Sequence, residues 1–576
     1  MAEYERNFNL INKKFRELLF PTIAVSIAGN ISILIDAFLI SFILGSENLA
    51  IIQTIEPLVI LISVIYWMIG IGGSILCSIS KADFNDEKAN EIFTVSLISA
   101  VLIGLIITVS VLLFPDLCSQ IICSSTELRP LVSQYLNLYM IGIPFLCYMA
   151  CIAYFIKSYG FIKLQFRAFL LSNIINISCD IIFMKFLNLG IEGAGLATTV
   201  GFVISAIYIT SYFFNPKKSI RIIKVKSSTF FKHLLNICKT GFATSSVNFY
   251  EALRLGIINS LLTVMMGAVG LEAFNMCNNI LFLVIIFIFG VIQSIVPIVS
   301  VYFQEEDYRG VAYVCDKSMK YVVGLGISFS VLFIIFPEIP LYLFNVTDPN
   351  SIPIVINAVR LYSLSFVGYA ITNLFIFYSQ SAQYIKLSNF VSIIEGLILP
   401  IAFAYILSYF WGVNGLWISF TVSEFVTILL IVIYSRYMTK KTNNAVSGFF
   451  LIKNNQDTTI FEYTIHGNMD EALNLSKKVQ EVLSYSQLSQ TVSLAIEELL
   501  VNIIKLNDGV DLIDVTIRDK KDSIVLSVKY SGTLFNPLEC DHSMNLHILN
   551  KFVDNIEYSQ ILELNNTEIT INHSDL

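Results

Sequence analysis

Residues 273–304 read AFNMCNNILFLVIIFIFGVIQSIVPIVSVYFQ and contain no charged side chain. A helix needs roughly 20 mostly apolar residues to cross about 30 Å of hydrocarbon, because only an internally hydrogen-bonded segment is stable there. Residues 92–115 and 193–216 form two further runs without a charge. These three runs predict membrane-spanning helices and decide the fold class of most of the chain.

The composition of the whole chain favours the bilayer as its solvent. Of its 576 residues, 55% are hydrophobic and only 14% are charged, and the mean hydropathy is +0.72. A single soluble globule would need more charge on its surface. The net charge is -7, and neither half of the sequence carries a basic face that could bind phosphates, so a nucleic-acid partner is not expected.

Twelve apolar runs are long enough to be spans when the remaining candidates are added. The predicted spans are residues 18–44, 49–79, 92–115, 131–156, 164–188, 193–216, 235–267, 273–304, 319–336, 353–380, 387–409 and 413–438. The chain is therefore predicted to be an all-α polytopic membrane protein over most of its length, with the lipid bilayer as its main partner.

Lysine and arginine residues are unevenly divided between the two sides of these spans. Only Arg129, Lys185 and Arg360 fall in the loops of one side, whereas the basic run at 217–232 and most others fall on the opposite side. Cytoplasmic loops carry the excess of positive charge, so we predict a plasma-membrane protein with both termini in the cytoplasm. The basic run also leaves open a contact with anionic lipids.

The two halves of the membrane region resemble each other at an offset of about 222 residues. Four short patterns recur in the same order: Leu44-Gly45 with Met266-Gly267, Leu138-Tyr139 with Leu361-Tyr362, residues 162–164 with 385–387, and residues 190–193 with 412–415. Repeats in the same orientation imply two six-helix bundles related by an axis along the membrane normal. We therefore predict an N-lobe of residues 1–216 and a C-lobe of residues 217–438, with a substrate cavity between them.

Ionisable side chains are rare within the predicted spans. A charge in hydrocarbon costs several kcal/mol, so the charges that persist usually face a cavity and have a function. A carboxyl group in such surroundings can take up and release a proton in the physiological pH range, as proton coupling requires. The polar residues at this depth are Asp36 in the first span, Asn176 and Asp180 in the fifth, Glu251 and Arg254 in the seventh, Glu395 in the eleventh and Glu424 in the twelfth.

Each of these carboxylates has an alternative role, which is hydrogen bonding between helices. Glu251 and Arg254 are one helical turn apart, so the alternative for these two residues is that their opposite charges neutralise each other. Asn176 and Asp180 are four residues apart and therefore lie on one helical face.

Three segments resemble one transporter family. They read DAFLISFILGSENLA at 36–50, NISCD at 176–180 and GIEGAGLA at 190–197. They are similar to the multidrug and toxic compound extrusion (MATE) family, and the resemblance covers residues of about 10–440. In that family two lobes of six helices alternate access to the two sides of the membrane.

The resemblance also implies roles for individual residues. Asp36, Asn176 and Asp180 match the aspartate of the first helix and the Asn/Asp pair of the fifth, which form an N-lobe cation site in the family. Glu251 is similar to a seventh-helix glutamate that contributes in some members. Glu395 and Glu424 are further C-lobe candidates.

The function implied by the resemblance is antiport. H⁺ or Na⁺ enters while an amphipathic, cationic or drug-like organic compound leaves. The membrane region contains no P-loop motif, so ATP-driven pumping by it is not expected. The chain is thus expected to be a secondary transporter and not an enzyme, without catalytic residues, metal site or cofactor other than the transported ion.

Two other functions stay open at this point. One is a membrane sensor whose inherited transporter fold detects a ligand and which signals through the C-terminal part of the chain. The other is a flippase for lipid-linked precursors, which would need several cations in its cavity, whereas the spans contain essentially Arg254 alone.

The C-terminal stretch has the composition of a water-soluble sequence. Residues 439–459 are polar and rich in Asn and Lys and are predicted to be a linker. Residues 460–576 are predicted to form a cytoplasmic α+β two-layer sandwich, which we call the tail. Its predicted elements are strands at 461–465, 512–518, 523–530, 556–562 and 567–572 and helices at 469–485, 488–506 and 543–553.

The string AIEELLVN at 495–502 resembles the N-box of histidine-kinase-like ATPases, especially the small anti-sigma-factor kinases. The resemblance implies that Glu498 is a base and Asn502 a magnesium ligand. Gly532 and the residues after it resemble the segment that follows the adenine-reading aspartate of that family.

The tail departs from this pattern at two places. Tyr530 replaces the adenine-reading aspartate, and residues 541–547 contain no glycine for a phosphate lid. We therefore expect a degenerate nucleotide site, kept for regulation or for binding a protein partner. ATP and Mg²⁺ are expected as ligands only if the tail is functional.

Ten cysteines are scattered singly through the chain without a spacing typical of zinc sites. Cys118 and Cys123 share one predicted loop. A disulfide and two free thiols are both compatible with their spacing.

Overall fold

The computed structural model describes residues 3–44, 49–122, 129–216, 218–343, 352–454, 458–507, 509–520, 522–533 and 553–573. Most of these residues lie in long helices that pack side by side. The helices of this bundle are α1 (Asn9–Leu44), α2 (Leu49–Ala82), α3 (Asp86–Leu113), α4 (Pro115–Ile122), α5 (Arg129–Ser158), α6 (Ile162–Asp180), α7 (Gly190–Ile209), α8 (Ser227–Met266), α9 (Ala268–Gln304), α10 (Tyr308–Ile335), α11 (Ile339–Leu343), α12 (Ile352–Ser363), α13 (Ser365–Ser381), α14 (Ile385–Ile393) and α15 (Leu399–Lys441).

Among the described residues, ten helices are long and apolar enough to cross a bilayer. One of them, Ile385–Lys441, is interrupted at Trp411 and Gly412, where the backbone leaves the helical region and separates two spans. Helix α1, which is 36 residues long, supplies another span. The predicted all-α membrane region is thus confirmed, although α1 and α8 begin about two turns before the apolar runs that predicted them.

The internal repeat is visible in the backbone of the turns. The second residues of the turns 83–85 and 305–307 have positive φ values of 56° and 58°. The third residue of each turn caps the next helix by accepting a backbone N–H with its side chain. Gly190 and Gly412, which belong to another repeated pattern, also have matching φ values of 58° and 56°. The two lobes therefore share local conformation as well as sequence.

The tail attaches at one end of the bundle, which we call the tail side. The turns 83–85, 158–161 and 305–307 lie there, and the two lobes touch along their tail-side halves. A Cβ on Gly241 of α8 would lie 2.0 Å from the carbonyl oxygen of Met68 in α2. A Cβ on the facing Gly72 would lie 2.4 Å from another carbonyl oxygen. Only glycine fits this crossing of the two lobes.

Polar contacts also join the lobes on the tail side. Lys157, at the end of α5, donates from Nζ to the carbonyl oxygen of Gln293 in α9 over 2.6 Å. Gln304 donates from Nε2 to Oδ1 of Asp83 over 2.6 Å. The gap between the lobes is therefore closed on this side.

The tail contains a sheet with two helices on one face. Its strands run in the order β1-β4-β5-β6-β8-β7, and its neighbours are antiparallel except for β1 and β4. The elements are β1 (Glu3–Glu5), β4 (Thr459–His466), β5 (Leu512–Asp519), β6 (Ser523–Ser531), β7 (Asn555–Ile561), β8 (Leu564–Asn572), α16 (Met469–Val482) and α17 (Ser489–Leu506). Apolar residues of the strands and of both helices form one core. This arrangement matches the predicted α+β sandwich, whereas the helix predicted at 543–553 lies mostly outside the described residues.

Two features on the tail side are absent from the sequence prediction. Strand β1 precedes the bundle but joins the edge of the tail sheet, where Tyr4 lies opposite Glu462 of β4. Residues 439–459, predicted as a linker, contain a hairpin of β2 (Val446–Ser447) and β3 (Ile452–Lys453). Phe450 at the tip of this hairpin packs against Tyr378 of α13, with 4.8 Å between ring centroids. The hairpin anchors this segment to the C-lobe.

Whether Cys118 and Cys123 form a disulfide or stay free thiols is untested, because Cys118 lies in α4 but Cys123 lies outside the described residues. Within the described part of the chain, no group of three or more His, Cys, Asp or Glu side chains is placed to hold a metal ion.

Candidate functional site

Asp36 of α1 and Asp180 of α6 lie close enough for their carboxyl groups to interact directly. Asp180 is fully buried and Asp36 is half-buried. Apart from the partner aspartate, no hydrogen-bond donor among the described residues reaches either carboxyl oxygen of Asp180 or Oδ1 of Asp36. The N-lobe therefore holds two neighbouring carboxyl groups with unused acceptor oxygens.

Uncharged polar side chains complete the surroundings of this pair. Asn176, one turn before Asp180, donates from Nδ2 to Oγ1 of Thr198 in α7 over 3.1 Å. Tyr135 of α5 is buried beside both aspartates and also interacts with Thr198. The structure thus gathers the three predicted N-lobe residues into one polar cluster. Sequence reasoning missed Tyr135 and Thr198, because an uncharged residue within a span gives no signal of its own.

A π-helical segment lies next to the acidic residues in each lobe. Ile181–Phe186 follows Asp180 directly, and Ile394–Ile398 contains Glu395 between α14 and α15. A π-helical turn changes the direction of side chains, and such segments are frequent at functional sites. The apolar sequence around them carries no helical periodicity that would have revealed them.

The C-lobe contains a second pair of carboxyl groups. Glu395 and Glu424 are both buried and interact with each other. Thr372 of α13 donates from Oγ1 to Oε2 of Glu424 over 2.8 Å, and Asn373 lies beside Glu395. Gly368, one turn before Thr372, lets α13 approach α15 closely, since a Cβ on Gly368 would lie 2.4 Å from the Cβ of Glu424.

Glu251 and Arg254 of α8 form an ion pair, with 3.4 Å between Oε1 and Nη2. The structure therefore supports the alternative in which these two residues neutralise each other. Arg254 is buried, stands 5.9 Å from the ring centroid of Phe420 and also acts electrostatically on Glu395. All four charged C-lobe residues singled out in the sequence lie in one cluster, separate from the N-lobe pair.

The two clusters differ in their balance of charge. Two buried neighbouring carboxylates repel each other. A proton or a bound cation therefore lowers the free energy needed to hold them together. Neither Asp36 nor Asp180 interacts with a described lysine or arginine. In the C-lobe, Arg254 supplies a resident positive charge. Among the described residues, the N-lobe pair has no such resident charge.

The residues of the predicted nucleotide site lie in the tail. Glu498 and Asn502 are on α17, and Oε2 of Glu498 is buried without a donor among the described residues. Tyr530 is fully buried in the core between the sheet and the two helices. A bulky side chain therefore fills the position that the sequence resemblance matches to an adenine-reading aspartate. Residues 541–547 lie outside the described residues.

Gly532 has a local structural role. A Cβ on Gly532 would lie 2.8 Å from Oδ1 of Asn507, and its φ of 150° is one that side chains rarely adopt. Asn507 ends α17 and accepts hydrogen bonds from the backbone N–H and the hydroxyl of Thr533, at 3.0 and 2.7 Å. The geometry of the turn after β6 therefore accounts for a glycine at this position, and nucleotide binding is not needed to explain it.

Comparison with known proteins relates the bundle to characterised sequences. The MatE family matches residues 21–182 and 244–406, which is more than half of the chain. The multidrug export protein MepA of Staphylococcus haemolyticus (strain JCSC1435) is 22% identical over 445 residues, which cover 74% of this chain and 94% of MepA. The same protein of Staphylococcus aureus (strain MSSA476) is 19% identical, with coverages of 75% and 97%.

Solved structures show the same fold. An outward-facing multidrug resistance MATE family transporter of the MOP superfamily superposes with a TM-score of 0.69 at 20% identity, over 76% of this chain and 99% of that one. A MOP superfamily transporter from Pyrococcus furiosus superposes with a TM-score of 0.69 at 19% identity, over 77% and 99%. The family match ends at residue 406, before the tail begins. The chain belongs to the MatE (multidrug and toxic compound extrusion) family, whose members are secondary multidrug transporters and not enzymes.

Proposed function

We propose that the chain is an H⁺- or Na⁺-coupled antiporter that exports amphipathic, cationic or drug-like organic compounds by alternating access. The observation that carries this proposal is the pair of neighbouring carboxyl groups of Asp36 and Asp180. Both oxygens of Asp180 and Oδ1 of Asp36 accept no hydrogen bond from any other described residue. The name of the MepA relatives, multidrug export protein, supports the class of substrate.

The pair supplies a physical basis for coupling. A bound H⁺ or Na⁺ removes the repulsion between the two buried carboxylates, whereas its release restores the repulsion. A ligand shifts a conformational equilibrium only by its differential affinity for the two states. Because α1 carries Asp36 and α6 carries Asp180, any change in the separation of these helices changes the affinity of the pair for the cation. Ion binding is therefore linked to the packing of α1 against α6 within the N-lobe. Helix α1 also packs against α9 of the C-lobe, where a Cβ on Gly290 would lie 2.5 Å from Cγ1 of Ile23.

Transport in proteoliposomes tests the proposal directly. The purified chain is reconstituted with a fluorescent organic cation, and a pH gradient or a Na⁺ gradient is imposed in separate experiments. We expect uphill movement of the dye with one of the two gradients, and the effective gradient identifies the ion. Substrate counterflow without any gradient separates transport from sensing. Absence of both counterflow and gradient-driven transport would favour the sensor function.

We also propose that the tail side faces the cytoplasm, on the basis of the Lys/Arg asymmetry between the two sides. The lobes touch on the tail side, so this orientation makes the structure closed to the cytoplasm, which is the outward-facing arrangement of an exporter.

A cysteine added after Leu576 is expected to stay unreactive toward an impermeant thiol reagent in intact cells, because the tail is on the cytoplasmic side. Glu338→Cys is the matched control, since Glu338 is exposed at the opposite end of the bundle and its replacement should be labelled. Labelling is compared with that of the unaltered chain. Labelling of the added terminal cysteine without lysis would reverse the orientation.

The tail is proposed to be a regulatory domain with a degenerate nucleotide site. Without the adenine-reading aspartate and the glycines of the phosphate lid, several hydrogen bonds to ATP are lost. Each buried polar group that is left unpaired costs on the order of 1 to 3 kcal/mol. ATP affinity would then fall by several decades.

Titration calorimetry of the purified full chain with ATP and Mg²⁺ is expected to give no binding heat up to about 1 mM ATP. Asn502→Ala is the control, because it removes the magnesium ligand implied for the site. A micromolar dissociation constant that is lost in Asn502→Ala would restore Glu498 and Asn502 as working residues.

A further inference from the structure

The face of the tail sheet opposite α16 and α17 is polar, yet much of it is buried. Asp514, Arg518, Lys529 and Asn566 point from this face, and their exposed fractions are between 2% and 6%. The helices α16 and α17 cover only the other face. The groups that cover the polar face come from the bundle and from the segment before α1.

The C-lobe supplies the first set of contacts, from the turn 305–307 and the start of α10. Lys529 forms ion pairs with Glu305 at 2.7 Å and with Asp307 at 3.1 Å. Nδ2 of Asn566 donates to Oε1 of Glu305 over 2.9 Å. Arg309 pairs with Glu462 of β4 at 3.0 Å. The tail is thus tied to the C-lobe by several buried charged contacts.

The N-lobe supplies the second set, at the turn between β7 and β8. The backbone N–H of Leu562 donates to the carbonyl oxygen of Ser158, at the end of α5, over 3.1 Å. The next residue, Glu563, lies against Gly160, where a Cβ would come within 2.1 Å of its side chain. Glu563 also lies 3.6 Å from Nζ of Lys14 in α1. This turn is therefore fitted to the N-lobe.

Arg6 connects all three parts of the protein. It precedes α1 of the N-lobe, forms a bidentate pair with Asp307 of the C-lobe at 2.9 Å and bonds to Asp514 of the tail at 3.0 Å. Burial alone would raise the pKa of Asp307, but Arg6 and Lys529 outweigh it and hold this pKa well below its usual range. The Asp307 carboxylate therefore stays ionised, and the pairs persist across the physiological pH range.

The spacing of these contacts limits how far the lobes can separate. Leu562 binds the N-lobe and Asn566 binds the C-lobe, and only four residues separate them in one hairpin. Four residues span at most about 14 Å when fully extended. Separation of the tail-side ends of the lobes therefore has to break one set of contacts.

We propose that the tail, together with Arg6, is a latch that holds the tail-side ends of the two lobes together, so that inward opening requires release of the tail from one lobe. The inference rests on the alternating-access part of the proposed function, but not on the identity of the ion or of the substrate. It makes the tail a conformational regulator of the transporter.

The test measures the distance between the lobes and not transport. Spin labels are placed at Lys88 and Lys386, which are exposed, begin α3 and α14 and lie outside the latch contacts. Double electron–electron resonance on the full chain, without reactive native cysteines, reports the distance between the lobes on the tail side. The unaltered protein should show mainly the short distance.

Arg309→Glu and Glu462→Arg each place like charges across the latch, and each is expected to raise the ratio of long to short distances on the order of tenfold. The double swap restores an ion pair and should return the short distance, which rules out misfolding as the cause. Lys505→Glu, an equal charge change on exposed α17, should have no effect. A chain that ends after Asn454 should also show the long distance.

An unchanged distance in both single variants and in the truncated chain would overturn the latch. A long distance that persists in the double swap would also reject the ion pair as its cause. Failure of cation coupling would instead show in gradient-driven transport with the distances intact, so the two proposals fail separately.

Discussion

Replacement of Asp36 or Asp180 by asparagine is expected to reduce gradient-driven export to background while leaving membrane insertion intact. Each change removes one titratable group from the buried pair and keeps nearly the same size and polarity, so the helices should still pack. The remaining carboxyl group then has no repulsive partner, and cation release no longer drives a change of state. Efflux of a fluorescent cation from proteoliposomes under the effective ion gradient measures the effect.

Glu338→Gln serves as the control for this experiment, because it neutralises an exposed carboxylate far from either cluster. Counterflow should persist in the two asparagine variants, since it needs lobe movement but no ion gradient. Unchanged efflux in both variants would remove the N-lobe pair from the mechanism. The C-lobe cluster of Glu251, Glu395 and Glu424 would then be the candidate for coupling.

Gly241→Ala is expected to disrupt the closed tail side. The new Cβ would lie 2.0 Å from the carbonyl oxygen of Met68, and a backbone atom within a helix cannot move aside as a side chain can. Helices α2 and α8 must separate, and this separation forces the lobes apart where they touch. The spin-label pair at Lys88 and Lys386 should report a longer distance, and export should fall at least about tenfold.

Gly256→Ala is the matched control on the same helix, because a Cβ there meets no atom within 4 Å. Alanine should even stabilise α8 slightly at that position, by at most about 1 kcal/mol. Equal distances and equal export in the two alanine variants would show that the crossing of α2 and α8 is not what closes the tail side.

The bundle was predictable because its signals are local. The composition of each apolar run, such as residues 273–304, is enough to indicate a membrane span, and the internal repeat is recognisable from short stretches of sequence. Asp36 and Asp180 were found for the same reason, since a carboxylate within an apolar run is conspicuous. Their direct contact was not derivable from spacing, because it depends on how α1 packs against α6.

The features that sequence analysis missed depend on contacts between distant residues. Strand β1 has three residues, two of them glutamates, and shows no apolar alternation that would predict pairing with β4. The acidic turn 305–307 resembles an ordinary solvated loop until Lys529 and Arg518 are placed opposite it. The short apolar run at 449–452 was overlooked because the segment treated as a linker is mostly polar and rich in Asn and Lys on either side of it.

The pairing of β1 with β4 has a consequence for how the protein is made. Strand β1 lies before the helices of the bundle and β4 after them, so this contact joins residues that are far apart in the chain. Such a contact forms late, because the intervening chain has to be inserted and folded first. During translation β1 stays unpaired until the residues of β4 have been made. The pairing of β1 with β4 then joins the segment before the bundle to the domain after it, and a bulky fusion placed directly before Glu3 would interfere with this late step of assembly.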